Sequence, residues 1–194
     1  MQDDEHPPID AALVGAEGVP VLCVIGQVEH DSLDPESFEI EPIGDGLWTV
    51  IGLEHDYDVI FAERALLDAR GFGGATLPEQ ALHNTRARAP IVPNAQELRD
   101  FPDMCFEADR LVPSMFVDLA VWAEVAAGAG DSLYVAPVSD QFALVGLAAD
   151  GAALDAIKAG VLSGYASIRA FGDPRNRVVS DRVFRFRDGR WRAA

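Results

Sequence analysis

The side chains best suited to chemistry are two copies of one tripeptide, Glu29-His30-Asp31 and Glu54-His55-Asp56. Each copy follows an apolar run of strand length. Imidazole nitrogens and carboxylate oxygens are ligands that divalent transition metals bind in proteins. If the two strand ends are neighbours, the side chains of His30, His55, Asp31 and Asp56 would form the metal site of an enzyme or sensor. The alternative is two solvated strand ends, because successive side chains of a strand point to opposite faces and cannot all reach one ion.

A second set of charged side chains lies near the C-terminus. Two alternating segments, residues 183–187 and 190–193, flank Asp188-Gly189, a dipeptide typical of a two-residue hairpin turn. The register predicted from this turn places Phe186 opposite Trp191 on a face that packs against the core. The opposite face then carries four arginines, here called the arginine face: Arg185, Arg187, Arg190 and Arg192.

The arginine face has three interpretations, because like charges across a β-ladder destabilise it unless an anionic group lies over them. The first is that residues of the protein's own acidic half cover it. The second is that it binds an acidic partner or a second copy of the chain, as in a homodimer. The third is a small anionic ligand, since the guanidinium group suits phosphate and carboxylate.

The charge of the chain favours a basic protein as partner. The formal net charge is -17, and residues 1–69 contain seventeen acidic residues against one arginine, Arg64. A surface of this sign repels phosphate backbones and anionic lipids, so neither nucleic acid nor a membrane is expected as partner. It attracts basic proteins by electrostatic steering.

Motifs of built-in catalysis are absent from the sequence. It has no Gly-x-Ser-x-Gly elbow, and the glycines of 71–74 lack the lysine of a phosphate loop. Cys23 and Cys105 lie in apolar runs, which predicts two buried free thiols. Neither a signal peptide nor an apolar run of membrane-spanning length is recognised, so we expect a cytoplasmic protein without a cofactor.

The pattern of strands and helices predicts the α+β class, as one domain over residues 1–194. We expect an antiparallel or mixed sheet with helices packed on one face and a C-terminal β-hairpin. An acidic tail at 1–8 and a short helix at 9–17 precede the first strand. Thr76 and Asn94 are predicted to begin helices with capping boxes. A helix over 115–127, apolar nearly all round, is expected to be buried on most of its surface.

Three segments resemble a bacterial family, DUF1444 or YtpQ-like. The similar segments are residues 181–191, residues 131–145 and, more weakly, residues 47–53 with the two helices that follow. The resemblance spans about residues 45–192. It implies a cytoplasmic bacterial α+β protein and carries over no catalytic residue.

These observations together predict a non-enzymatic acidic binding module. The expected partner is a basic protein, and an immunity or inhibitor protein that neutralises a toxin's basic cleft is one example. The alternatives are a metal-dependent enzyme or sensor that uses the two tripeptides, and a domain that binds a small anionic ligand.

Overall fold

A computed structural model describes residues 18–56, 58–173 and 176–194. The predicted tail at 1–8 and helix at 9–17 lie outside these residues. The strands are β1 (Val19–Gly26), β2 (Ile40–Gly44), β3 (Leu47–Glu54), β4 (Val59–Phe61), β5 (Asp103–Glu107), β6 (Leu133–Ser139), β7 (Phe142–Leu147), β8 (Phe184–Arg187) and β9 (Arg190–Ala193). The α-helices are α1 (Gln27–His30), α2 (Arg64–Ala69), α3 (Leu77–Arg86), α4 (Ala95–Asp100), α5 (Leu119–Ala129) and α6 (Gly151–Phe171).

The described strands form one mixed sheet in the order β1-β3-β2-β9-β8-β6-β7-β5, and β4 pairs with the end of β3. Neighbouring strands are antiparallel except β2 and β9, which are parallel. Short turns connect β2 to β3, β6 to β7 and β8 to β9. The α+β class and the C-terminal hairpin are therefore confirmed.

Helices cover both faces of the sheet, so the prediction of helices on one face was wrong. Along β6, Leu133 and Val135 pack with the core formed by α4, α5 and the 3-10 helix Val112–Phe116. Tyr134 and Ala136 pack instead with α6. Because strand side chains alternate, these two cores lie on opposite faces. An apolar run such as β6, buried throughout, is what a strand covered on both faces requires.

The segment predicted as one buried helix over 115–127 is divided between a 3-10 helix and α5. A 3-10 helix occupies Val112–Phe116, and Asp118 then caps α5 by accepting a hydrogen bond from the backbone N–H of Val121 at 3.4 Å. Only Trp122 and Val125 of α5 are buried. Much of the exposed surface of this helix is alanine, which favours the helical state without needing burial.

The two predicted capping boxes have different outcomes. Asn94 accepts hydrogen bonds from the backbone of α4 while Glu97 bonds back to the Asn94 N–H, so this box is confirmed. Thr76 makes no capping hydrogen bond. Its φ and ψ of -90° and -7° are close to helical, whereas a capping side chain needs an extended backbone.

The first edge of the sheet is covered by a helix. Helix α3 lies beside β1, where the Thr85 hydroxyl accepts from the Leu22 N–H at 2.8 Å and the Asn84 amide donates to the Pro20 carbonyl at 2.9 Å. These side chains satisfy backbone groups that would otherwise be open to another strand. The strand at the other end of the order is β5.

Candidate functional site

The C-terminal hairpin has the predicted register. Arg187 pairs with Arg190, Phe186 with Trp191 and Arg185 with Arg192. Asp188 and Gly189 have φ values of 52° and 71°, as a type I′ turn requires. Trp191 is buried, and its indole N–H donates to the Phe116 carbonyl at 3.0 Å. The aromatic side therefore anchors the hairpin in the core and holds the arginine face on the other side.

Neutralisation of the arginine face by the protein itself is partial. Arg192 forms an ion pair with Asp45 at 3.1 Å, and Arg187 lies 3.7 Å from the exposed Asp131. Within the described residues, Arg190 has no ion pair, and the buried Nε of Arg185 has no hydrogen-bond partner. Of these partners, Asp45 belongs to the acidic half of the chain.

A pocket of about 240 Å³ adds two arginines to those identified in the sequence. Arg169 of α6 and Arg182, just before β8, line this cavity together with Tyr165, Ser180 and Asp181. Neither guanidinium group has a carboxylate partner in the part of the chain that the structure describes. We call this cavity the arginine pocket. Arg169 could not be assigned to it from the sequence, because only the fold brings the end of α6 beside the segment that precedes the hairpin.

The two tripeptides lie at opposite ends of an antiparallel strand pair. Strand β1 pairs with β3 so that Val19 is opposite Glu54 and Gly26 is opposite Leu47. Glu29-His30-Asp31 follows the end of β1, and Glu54-His55-Asp56 follows the end of β3. Seven residue steps of about 3.3 Å separate the two ends by about 23 Å. The two tripeptides therefore cannot contribute ligands to one metal ion.

Each histidine has its own local environment. The His30 ring stacks on Trp48 with ring centroids 3.9 Å apart, and its Nδ1 lies 3.2 Å from the Asp31 carboxylate. The His55 Nδ1 is buried without a hydrogen-bond partner among the described residues. Glu54, beside it, forms ion pairs with Arg88 and Arg110. The described residues contain no group of three or more His, Cys, Asp or Glu side chains that could hold a metal.

No family model, curated protein or solved structure matches this chain. The resemblance to the YtpQ-like family therefore stays a prediction. No helix among the described residues has the length and apolar character needed to cross a lipid bilayer.

A partly buried ion cluster joins three segments that are distant in sequence. Arg177 forms ion pairs with Glu29 at 3.0 Å and Asp140 at 3.6 Å, and its guanidinium carbon lies 4.5 Å from the centre of the Phe61 ring. One carboxylate oxygen of Glu29 and one of Asp140 are buried without a hydrogen bond in the described structure. The cluster thus has two carboxylates for one guanidinium, and its carboxylates are incompletely satisfied.

Burial raises the pKa of both acids of the cluster. Burial, together with the nearby Glu29 carboxylate, raises the pKa of Asp140 from 3.8 to about 6, although Arg177 opposes the rise. Burial also raises the pKa of Glu29. The Cys23 thiol is fully buried nearby, which raises its pKa to about 12 and keeps it neutral. Sequence inspection missed this cluster because its members come from α1, the β6–β7 turn and the loop before β8.

Cys105 is exposed, so the prediction of two buried thiols was wrong for this residue. It lies on β5, where its side chain points away from the core that contains Met104 and Phe106. Partial burial and the Glu107 carboxylate raise the pKa of the Cys105 thiol. It is therefore a poor nucleophile, because the thiolate is the reactive form.

Four carboxylates, all exposed except the partly buried Glu39, gather along the segment that leads into β2. The bridge between Phe38 and Glu63 brings Glu63 beside the loop that carries Asp34, Glu36 and Glu39. Arg64 pairs with Glu39 at 3.4 Å, and it is the basic residue that neutralises this group in part. Hydrogen bonds from Ser37 and the Glu36 N–H lower the pKa of Asp34, so it is ionised at neutral pH. We call these four acidic residues the acidic strip.

Proposed function

We propose that this protein is a cytoplasmic, non-enzymatic binding module that captures a basic protein partner through its acidic surface. The observation that supports this proposal best is that many of its few basic side chains form ion pairs within the protein. Many of its arginines pair internally with carboxylates, including Arg86, Arg88, Arg110 and Arg177. The excess of 32 acidic over 15 basic residues is therefore left largely on exposed carboxylates such as those of the acidic strip.

An acidic surface of this kind accelerates encounter with a basic partner. Charge complementarity raises the association rate and suppresses binding of acidic proteins, and salt screens the attraction over about 10 Å at 0.1 M. A neutraliser that blocks the basic cleft of a toxin or enzyme would use this mechanism. Such a role requires no catalytic group in the module itself.

The test is affinity capture from the lysate of the native cell at low ionic strength, followed by identification of the bound proteins. We expect basic proteins that elute as salt is added, with an association rate that falls steeply with ionic strength. The association rate of each purified candidate is then measured with the wild-type protein and with the double variant Glu36→Gln/Glu63→Gln, which removes two charges from the acidic strip and should slow association modestly by weakening the long-range attraction. Capture of acidic or neutral proteins alone, or binding that does not depend on salt, would contradict the proposal.

The arginine pocket supports a second candidate function, the binding of a small anionic ligand. Two guanidinium groups, which have no carboxylate partner among residues 18–56, 58–173 and 176–194, lie beside the Ser180 and Tyr165 side chains and provide several hydrogen-bond donors in one cavity. Calorimetric titration with inorganic phosphate and with a dicarboxylate tests this function. Arg182→Gln should abolish binding, whereas Arg190→Gln, which removes the same charge outside the pocket, should not. If neither anion gives a heat of binding, phosphate and dicarboxylates are excluded as ligands of the arginine pocket.

A further inference from the structure

The strand at the far end of the sheet, β5, has an open edge. It pairs with β7 so that the Ala108 N–H donates to the Gln141 carbonyl and the Leu147 N–H donates to the Pro102 carbonyl. In an antiparallel pair, residues alternate between bonding to the partner and pointing away from it. The backbone N–H and C=O groups of Asp103, Cys105 and Glu107 therefore point away from β7. Within the described ranges no other strand or helix bonds to them.

This open edge is acidic. Asp103 and Glu107 are exposed at its two ends, and Asp103 accepts a hydrogen bond from the Tyr134 hydroxyl at 2.9 Å. If two copies of β5 paired antiparallel about the central Cys105, Asp103 of one copy would lie opposite Glu107 of the other. Like charges directly across a ladder are destabilising. The edge therefore disfavours a second copy of this chain and favours a strand of opposite charge.

A cavity of about 430 Å³ opens at the Glu107 end of this edge. Its walls include the carboxylates of Glu107 and Asp109 and the apolar side chains of Phe142 and Ile168. Asn176 also lines the cavity. A cavity with carboxylates and apolar walls suits a side chain that has several N–H donors on an aliphatic stem. Arginine and lysine are such side chains.

We propose that the basic partner presents an extended segment that adds to the open edge of β5 and places an arginine or lysine side chain in the adjoining acidic cavity. This inference rests on the proposed function, because it assigns the surface through which that function acts. Strand addition to an exposed sheet edge is a common mode of peptide recognition, in which backbone hydrogen bonds provide affinity and side-chain pockets provide specificity. Here the backbone groups of three residues would bind the segment, and the cavity would select a cation.

The probe is a capped, fluorescently labelled peptide of alternating arginine and valine residues, and the readout is anisotropy at physiological ionic strength. A second peptide of the same sequence carries N-methyl groups on all of its backbone amides, so that it keeps the charges but can donate no backbone hydrogen bond from either edge to β5. We expect the unmodified peptide to bind at least about tenfold more tightly, since the methylated peptide loses several hydrogen bonds. Equal binding of the two peptides would overturn strand addition.

Two double variants with the same change of charge locate the site. Glu107→Gln/Asp109→Asn removes the carboxylates of the cavity, and Glu36→Gln/Glu63→Gln removes two exposed carboxylates from the acidic strip. We expect the first variant to weaken binding of the unmodified peptide about tenfold or more and the second to change it much less. Equal effects of the two variants would overturn the assignment to β5 while leaving a basic partner in place. If neither of the two peptides binds, even at low salt, the result would instead contradict the proposed function.

The Cys105→Pro variant tests the backbone contribution. The Cys105 N–H points away from β7, so proline removes a donor from the open edge without removing a hydrogen bond to β7. Circular dichroism first establishes that the variant is folded, and peptide binding should then fall. Unchanged binding by the folded variant would overturn strand addition. Sedimentation of the wild-type protein tests the competing occupant, because a dimer dissociated by Cys105→Pro would show that a second copy occupies this edge.

Discussion

The buried carboxyl of Asp140 should make the protein less stable as the pH rises from about 4 to about 7. Asp140 is 13% exposed, and its pKa is raised from 3.8 to about 6 in the folded protein. Between these two values the folded state binds a proton that the unfolded chain has already released. Stability from this group is therefore complete below about pH 4 and is lost as the pH rises through about 6.

The size of the effect follows from the change in pKa. At about 1.36 kcal/mol per pKa unit, a rise from 3.8 to about 6 corresponds to at most about 3 kcal/mol of unfolding free energy. Asp140→Asn keeps the shape of the side chain and removes the titrating proton. Other carboxylates titrate over the same range, so the useful quantity is the difference in unfolding free energy between the variant and the wild-type protein.

Denaturant unfolding, followed by the fluorescence of the buried Trp122 and Trp191, provides this difference at each pH. Relative to the wild-type protein, Asp140→Asn should gain up to about 3 kcal/mol between about pH 4 and pH 7. Asp131→Asn is the control, because Asp131 is 88% exposed and its variant should show little such trend. A difference for Asp140→Asn that does not change with pH would refute the assignment of a raised pKa to this carboxyl.

Four further substitutions test the packing described above by chemical denaturation at neutral pH. Arg177→Met should cost about 1–3 kcal/mol, because it leaves two partly buried carboxylates without their cation. A cost below about 0.5 kcal/mol would show that the cluster contributes little to stability. Asn94→Ala should cost about 1 kcal/mol by removing the capping box of α4, whereas Thr76→Ala should cost little because Thr76 makes no cap hydrogen bond. Gly26→Ala should cost at least about 1–3 kcal/mol, because its Cβ would collide with the Val179 carbonyl, and wild-type stability would show that this contact can relax.

The features predicted correctly from the sequence are those determined over a few residues. The hairpin register follows from Asp188-Gly189, because a two-residue turn fixes which residues face each other. The capping box at Asn94 likewise depends on side chains three residues apart. Thr76 has the same local pattern without the bond, because the chain reaches it with a near-helical backbone. Local rules therefore predict which hydrogen bonds are available and leave open which of them form.

The features that sequence inspection missed depend on pairing between distant segments. The two His-containing tripeptides have equivalent local surroundings, and only the antiparallel pairing of β1 with β3 separates them. Arg177 is one of several arginines in the C-terminal segment, and nothing near it in sequence distinguishes it from Arg182 or Arg187. Its partners are Glu29, which lies 148 residues away in sequence, and Asp140 in the β6–β7 turn. Such a cluster becomes visible only when three segments are placed together.

The segment that contains Arg177 also connects the two cavities. Asn176 lines the acidic cavity beside β5, whereas Ser180 and Arg182 line the arginine pocket. Arg177, between them, is held by carboxylates from two other elements. The backbone of this segment is also held at the end of β6, where the Asp140 N–H donates to the Arg177 carbonyl at 2.8 Å and the Val179 N–H donates to the Val138 carbonyl at 2.9 Å. Protonation of Asp140 therefore weakens one of several contacts that position the segment between the two cavities.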